Sequence, residues 1–507
     1  MINLTPIVRP WFALKVKANH GFYTPEGAER VQRRVLKRLL ARAARTEFGQ
    51  RHGFGQIKDY ETFARLVPVA DYPACRADIE RMVAGEADVL WPGRCRRFAQ
   101  SSGTSDGKSK YIPVTDDSLT LNHYDGGAAV VAHYLDLYPS SRLFGGKSFI
   151  LGGSFANEIK GLPAAVRVGD LSANLIDGIN PAVNLFRVPS KDIALMADWT
   201  EKLPALVEAS ICEDITNISG VPSWFLTVLR EVIRRKGAST IHDVWPNLEV
   251  FFHGGIAFGP YREQYRAITD PSRMRYLETY NASEGFFAVQ DSLDHASMLL
   301  LLGSGVFYEF VPLSQVGEAH PDALPAWKVE PGKTYALVIS SCNGLWRYAI
   351  GDTVRVDTVN PLRITIAGRT KSFINAFGEE LMVYNAEAAL AAACASSGAS
   401  ALNFTAAPVY ADGGRRGRHQ WLIEWNHAPA DVEAFADELD RQLQRQNSDY
   451  QAKRAGGIFL DRLSITSARP GLFDAWLGST GKLGGQRKVP RLSNDRAIIE
   501  QMLKLNG

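Results

Sequence analysis

An α/β fold is predicted for this chain: a large N-terminal domain of mixed sheets and helices, followed by a small α+β C-terminal domain. Three observations predict it. Short apolar runs ending in small or polar residues alternate with helical segments, as in SFILGG (148–153), LEVFFHGG (248–255) and MRYLETYNASEG (274–285). At 507 residues the chain exceeds one ordinary core, so two or more domains are expected. The pattern changes after Gly368-Arg369-Thr370-Lys371, which sets the boundary near residue 369 and gives domains 1–368 and 369–507.

Taken in order, residues 24–45 read as a helix. Thr24 can cap it, Pro25 suits the first helical position, and Val31, Val35, Leu39 and Leu40 recur on one face. Its arginines (Arg30, Arg33, Arg34, Arg38, Arg42) read as a solvated face, since no aromatic interleaving accompanies them. The strand-like runs follow; in open α/β sheets, ligands gather beyond the carboxyl ends of such strands. Gly254, Gly255 and the Tyr280–Gly285 loop are therefore expected to face a common crevice. Thr334–Val356 reads as two strands around the turn Cys342-Asn343-Gly344. The C-terminal unit is read as a strand near 402–410, a second strand at 420–425 and an amphipathic helix carrying Val432, Phe435, Leu439 and Leu443.

Composition narrows the class of protein. Hydrophobic residues make up 46% and charged residues 22%, which describes a folded globular chain. A net charge of +3 gives no case for nucleic acid as a partner. Five scattered cysteines never fall in CxxC spacing, which fits reduced thiols and argues against a zinc site or disulfide framework. The first twenty residues interrupt their apolar pattern with Arg9, Pro10, Lys15 and Lys17, unlike a signal peptide. The most apolar run, Met298 to Leu302, is far too short to span a bilayer. A cytoplasmic monomer with no membrane partner is expected.

The most informative stretch is QSSGTSDGKSKYIPVT (100–115). Its small residues let backbone N–H groups approach an anion, its hydroxyls add donors, and Lys108 and Lys110 add charge. Those are the needs of a polyphosphate cradle, although a solvated turn has a similar composition. It is not a P-loop: Gly103 and Gly107 enclose three residues where four are required, and a strand follows where a helix should.

Three further clusters carry chemistry. Glu284, on a strand-end loop, suits Mg²⁺, which takes one or two carboxylates plus phosphate oxygens and water; an ordinary loop glutamate fits equally. Asp352 could accept both hydroxyls of a ribose, or act as a turn aspartate. In GSTGKLGGQRKVPRL (478–492), Lys482 or Lys488 could neutralise a phosphoryl or carboxylate oxygen, and a basic flexible segment is the alternative. His253 reads either as a site residue or as a packed strand-end histidine. HExxH and GxSxG motifs are absent.

Together and in order, these motifs resemble the adenylate-forming superfamily of acyl-CoA synthetases, adenylation domains and luciferases. More closely, they resemble the Gretchen Hagen (auxin-responsive) family of acyl-acid amido synthetases. The resemblance runs over about residues 40–495: SSGTSDGKSKYIP, YNASEG, YEFVPL, GLWRYAIGDTVRV, GRTKSFINAFGEEL and QRKVPRL. It implies that Ser101, Ser102, Thr104 and Ser105 hold the ATP phosphates, Gly255 borders the adenine and Tyr280 flanks it. It also implies that Ser283 lies near the α-phosphate, Glu284 binds Mg²⁺, Asp352 the ribose and Arg369 the ribose or phosphate at a hinge. Lys488, chosen over Lys482 by this likeness, would sit on a mobile domain and bridge the acyl carboxylate and the α-phosphate. Two departures are visible: Gly378-Glu379-Glu380 stands where plant members carry a lysine-bearing loop, and FFHGG replaces their Thr-Gly-Ser-like turn.

The implied activity is an ATP- and Mg²⁺-dependent ligase that adenylates a small carboxylic acid and passes the acyl group to an amine, an amino acid above all. Delivery to coenzyme A or a carrier-protein thiol is the alternative. Residues 120–230 are expected to line the acid pocket, with Tyr124, Trp224 and Phe225 suited to an apolar acid or to core packing.

Overall fold

Apolar side chains that alternate along the strand Val250–Gly254 explain how the main sheet is covered. Phe251 points into a core with Phe149, Ile218, Phe225, Trp245 and Tyr265, whereas Val250 and Phe252 join a second core with Phe12, Val16, Tyr134 and Leu277. A strand buried on both faces belongs in the interior of a parallel α/β sheet. The computed structural model describes the chain except residues 1, 102–109, 156–158, 160, 256–257, 319, 371–372, 375, 377–378, 380, 410–416, 448–449, 452–453, 455–459, 480–488 and 494. At 101, 223, 260, 369 and 373 the backbone alone is described.

The chain divides into two compact units: residues 1–350 with 355–365, and residues 351–354 with 366–507. In the first, the parallel strands Lys147–Ile150, Ile215–Gly220, Val250–Gly254 and Arg275–Ala282 lie side by side. The sheet then turns antiparallel through Gly285–Val289 and Met298–Leu300. Helices Trp199–Ser210 and Pro222–Lys236 supply one core, and helices α1 (Thr5–His20) and Tyr124–Leu137 the other. The helix expected at 24–45 is α2 (Pro25–Ala43), with the Thr24 hydroxyl accepting from the Gly27 N–H at 3.1 Å. A three-stranded sheet places Arg97–Ser101 between Lys110–Pro113 and Arg167–Gly169.

The second unit is a small α/β layer. Ser400–Val409, Arg418–His427 and Ser464–Ala468 form its sheet. Trp421 and Ile423 pack under the helices Val383–Ser397 and Val432–Gln446, and Leu422 faces Phe473, Trp476 and Met502 of the last two helices. Both faces of the strand are covered because its run WLI is apolar at consecutive positions.

Candidate functional site

The serine-rich segment is the connection of an antiparallel hairpin. Ser101 pairs with Lys110 in the last register position before it, and Gln100 pairs with Tyr111. Ser102, Thr104 and Ser105 lie outside the described residues, as do Lys482 and Lys488, and Ser101 and Arg369 are described by their backbone alone. What the structure supplies is the mouth of the loop and what holds it. The Tyr111 N–H donates to the Tyr72 hydroxyl at 2.8 Å, and the Lys110 ammonium lies 5.7 Å from the Tyr72 ring centroid. Tyr72 opens helix α3 (Tyr72–Val83), whose cap Asp71 accepts from the Ala74 N–H.

Glu284 sits on the two-residue turn between the strands Arg275–Ala282 and Gly285–Val289, and is 8% exposed. The turn is over-determined. The Asn343 amide donates to the Glu284 carbonyl at 3.0 Å. Asn122 accepts from the Phe286 N–H at 2.7 Å and donates to the carbonyls of Phe286 and Ser304. The same Asn343 turn reaches the base of the serine hairpin, at the end opposite its loop, because the Thr115 hydroxyl, just after the second hairpin strand, donates to the Cys342 carbonyl at 2.7 Å. Hairpin and glutamate turn are thus joined through a single backbone segment, Cys342-Asn343.

Tyr348 links the arrangement to the start of α3. Its strand meets Ala70, one residue before the cap of α3, through the Ala349 N–H to Ala70 carbonyl bond at 2.8 Å. The phenol is fully buried and has no hydrogen-bond partner among the described residues. Burial, and then the charge of Glu284, hold its pKa well above the ordinary phenolic value. The preceding Arg347 is structural: its guanidinium, 4% exposed, pairs with the fully buried Glu309 at 2.8 Å and donates to the carbonyls of Ala64 and Val67. Tyr60 adds its hydroxyl to the same carboxylate at 2.9 Å.

The strand-end glycines have steric reasons. A Cβ on Gly254 would lie 2.5 Å from the Thr279 carbonyl, and Gly255 takes φ +81°. Tyr280 is 4% exposed, its ring edge-on to Phe287 at 5.0 Å, and Ser283 is half-buried on the glutamate turn. His253 is 3% exposed and stacks on Phe258 at 4.3 Å; burial pushes its pKa down to about 3. Of the pocket candidates, Phe225 is core, edge-on to Phe149 and Phe251. Trp224 packs on Trp199, and the Tyr124 hydroxyl donates to the Leu175 carbonyl.

Asp352 belongs to the second unit and is 8% exposed. It follows Gly351 (φ +87°), whose carbonyl accepts from the Thr370 N–H at 2.8 Å, so the backbones of Asp352 and Arg369 run side by side. Sequence reasoning missed Thr115, Asn122, Tyr72 and Tyr348. Their pattern carried no special spacing; only Asn343-Gly344 was legible, as a turn.

Among the described residues no group of three or more His, Cys, Asp or Glu could hold a metal ion. A cation at Glu284 would therefore draw most of its ligands from phosphate and water, the habit of Mg²⁺. No helix among the described residues is long and apolar enough to cross a membrane.

Comparison with known proteins places this chain among relatives. Models of the GH3 family match in chain order: its N-terminal domain over residues 24–274, its central domain over 299–369 and its C-terminal domain over 384–497. An indole-3-acetic acid-amido synthetase (GH3.8) of Oryza sativa subsp. indica is 24% identical, over 93% of this chain and 89% of its own. A jasmonoyl–L-amino acid synthetase (GH3.5) of Oryza sativa subsp. japonica is 24% identical over 65% of this chain and 68% of its own. The solved structure of GH3.15 acyl acid amido synthetase superposes with a TM-score of 0.78 at 19% identity, covering 98% of this chain and 96% of that one. A 2-hydroxyisobutyryl-CoA ligase in complex with 2-HIB-AMP reaches 0.59 at 15% identity, covering 94% and 93%. These two likenesses show the fold.

Proposed function

This chain belongs to the GH3 family, and from that premise we propose that it is an ATP-dependent acyl-acid amido synthetase. It adenylates a small carboxylic acid and transfers the acyl group to an amine, an amino acid, with release of AMP and pyrophosphate. The observation that carries the reading is the shared Cys342-Asn343 segment, which anchors both the base of the serine hairpin, at the end opposite its loop, and the Glu284 turn.

The chemistry explains why those parts belong together. A carboxylate does not acylate an amine at neutral pH because its leaving group would be oxide. Attack on the α-phosphate of ATP converts that oxide into AMP. Two anions must meet, so donors and cations have to absorb charge as the new bond forms. In this proposal Ser101, Ser102, Thr104 and Ser105 donate to the phosphates, Ser283 sits by the α-phosphate, and Gly255 and Tyr280 border the adenine. Asp352 accepts the ribose hydroxyls and Arg369 adds charge at the hinge. Glu284 would hold Mg²⁺, which supplies neutralisation of the phosphate oxygens. Lys488 bridges the acyl carboxylate and the α-phosphate, and its place on the smaller unit lets it withdraw before the amine enters. Five free cysteines fit a reducing compartment, and the cytoplasm is the proposed location.

The test is acid-dependent ATP–pyrophosphate exchange across an acid panel, followed by product mass with amino acids, hydroxylamine or coenzyme A as acceptor. An amide formed without coenzyme A supports the reading, and a thioester would replace it. Lys488→Ala should remove most exchange while nucleotide binding persists; undiminished exchange would take Lys488 out of the mechanism. Glu284→Gln should lower exchange by about 10²-fold, the scale of losing one preorganised charge contact.

A further inference from the structure

The N-terminal helix α1 buries one side and leaves an apolar stripe on the other. Phe12 and Val16 pack into the core, whereas Ile7, Trp11 and Leu14, spaced four and three residues apart, are 73%, 62% and 66% exposed. Ile2, just before the helix, is 81% exposed. These are among the most exposed large apolar side chains of the described residues, and helical spacing gathers them into one row.

The charge of this part of the chain is as unusual. Residues 1–45 hold ten lysines and arginines against Glu26 and Glu29, a net +8 in a chain whose total is +3. The remaining 462 residues are therefore net acidic, at −5. Helix α2 starts only five residues after α1 ends and carries six of the ten cations, all on its solvent face. Arg33 pairs with Glu29 and Arg42 with Asp117, but Lys17, Arg30, Arg34, Lys37, Arg38 and Arg45 are exposed side chains with no ion-pair partner among the described residues.

We infer that α1 and α2 form a peripheral docking surface for a bilayer bearing anionic phospholipid. Interfacial helices combine an apolar row containing Trp with neighbouring Lys and Arg, the row entering the headgroup boundary while the cations meet lipid phosphates. A nucleic acid would satisfy the cations but has no use for Ile7 and Leu14. A second copy of this face would set its unpaired cations against an identical set. This surface docks without spanning, so it revises the expectation of no membrane partner and is independent of the proposed ligase activity.

Flotation of the full chain with vesicles of phosphatidylcholine alone, or with about one-third phosphatidylglycerol, tests it. The bound fraction should rise about 10-fold on the anionic vesicles and fall as salt is raised. Ile7→Ser/Trp11→Ser/Leu14→Ser and, separately, Arg34→Glu/Arg38→Glu should each abolish the gain while circular dichroism and melting stay unchanged. Equal binding to both vesicles, or none, overturns the proposal. So does a dimer in light scattering that the triple serine variant dissolves, which would make the occupant a second copy. Binding to duplex DNA that survives the triple variant would likewise make it nucleic acid.

Discussion

Replacing Arg347 by methionine isolates what the buried Arg347–Glu309 pair contributes. The carboxylate is completely buried and the guanidinium nearly so, with contacts of 2.8, 3.0 and 3.1 Å between them. Arg347→Met keeps the volume but leaves Glu309 with the Tyr60 hydroxyl as its remaining donor among the described residues, and frees the carbonyls of Ala64 and Val67. Leaving a buried charge unpaired costs about 3–5 kcal/mol. For a unit of this size that lowers the midpoint by roughly 6–10 °C, at about 2 °C per kcal/mol. Because a methionine–leucine pair strands no charge, Arg347→Met/Glu309→Leu should recover most of the loss, giving a coupling of about 2–3 kcal/mol. Urea unfolding followed by tryptophan fluorescence measures all four corners, with Trp346 adjacent to the pair. A single-variant cost below about 1 kcal/mol, or a double variant that is simply additive, would refute the reasoning. Arg347 would then not be the clamp that its burial against Glu309, Ala64 and Val67 implies.

Other outcomes follow from the same geometry. Tyr348→Phe removes a buried hydroxyl that has no partner among the described residues, so stability should stay level or rise by up to about 1 kcal/mol in urea unfolding; a clear loss would mean the hydroxyl is bonded. His253 and His123 are pushed down by burial, to about 3 and about 4. Both lie below the unfolded value, so the unfolded chain binds protons first and stability falls as the pH drops below 6.5. Each contributes a slope of about 1.4 kcal/mol per pH unit, ending near its folded value. His253→Asn should flatten part of that slope in denaturation midpoints measured from pH 7 to 5; an unchanged profile would rule out its buried neutral state. Gly254→Ala places a methyl against the Thr279 carbonyl, which is backbone and cannot swing away. It should cost about 1–3 kcal/mol, read as a lowered melting temperature.

Much of this architecture was legible in the chain because local chemistry wrote it there. Thr24-Pro25 capped α2 as read, and the apolar runs at 148–153, 248–255 and 274–285 became strands. Strand periodicity and turn residues act over a few positions, so one sequence suffices to see them. Glu284 was likewise legible as a strand-end carboxylate. The order of motifs along the chain led to the family, because each short motif is weak but their succession is not.

The fold alone decided how those parts are held. Nothing in the spacing of Thr115, Cys342, Asn343 and Glu284 says that two hydrogen bonds join them, since they are separated by 227 and 59 positions. Arg347 reads as a motif residue in the sequence, yet burial beside Glu309 makes it a clamp, and Phe225 reads equally as a pocket aromatic or as core until packing makes it core. Burial and long-range pairing depend on which surfaces meet after the chain has closed, and one-dimensional pattern carries no distance across such a closure. The row Ile7-Trp11-Leu14 shows the same division: its periodicity marks a helix, and only packing decides which side of that helix meets solvent.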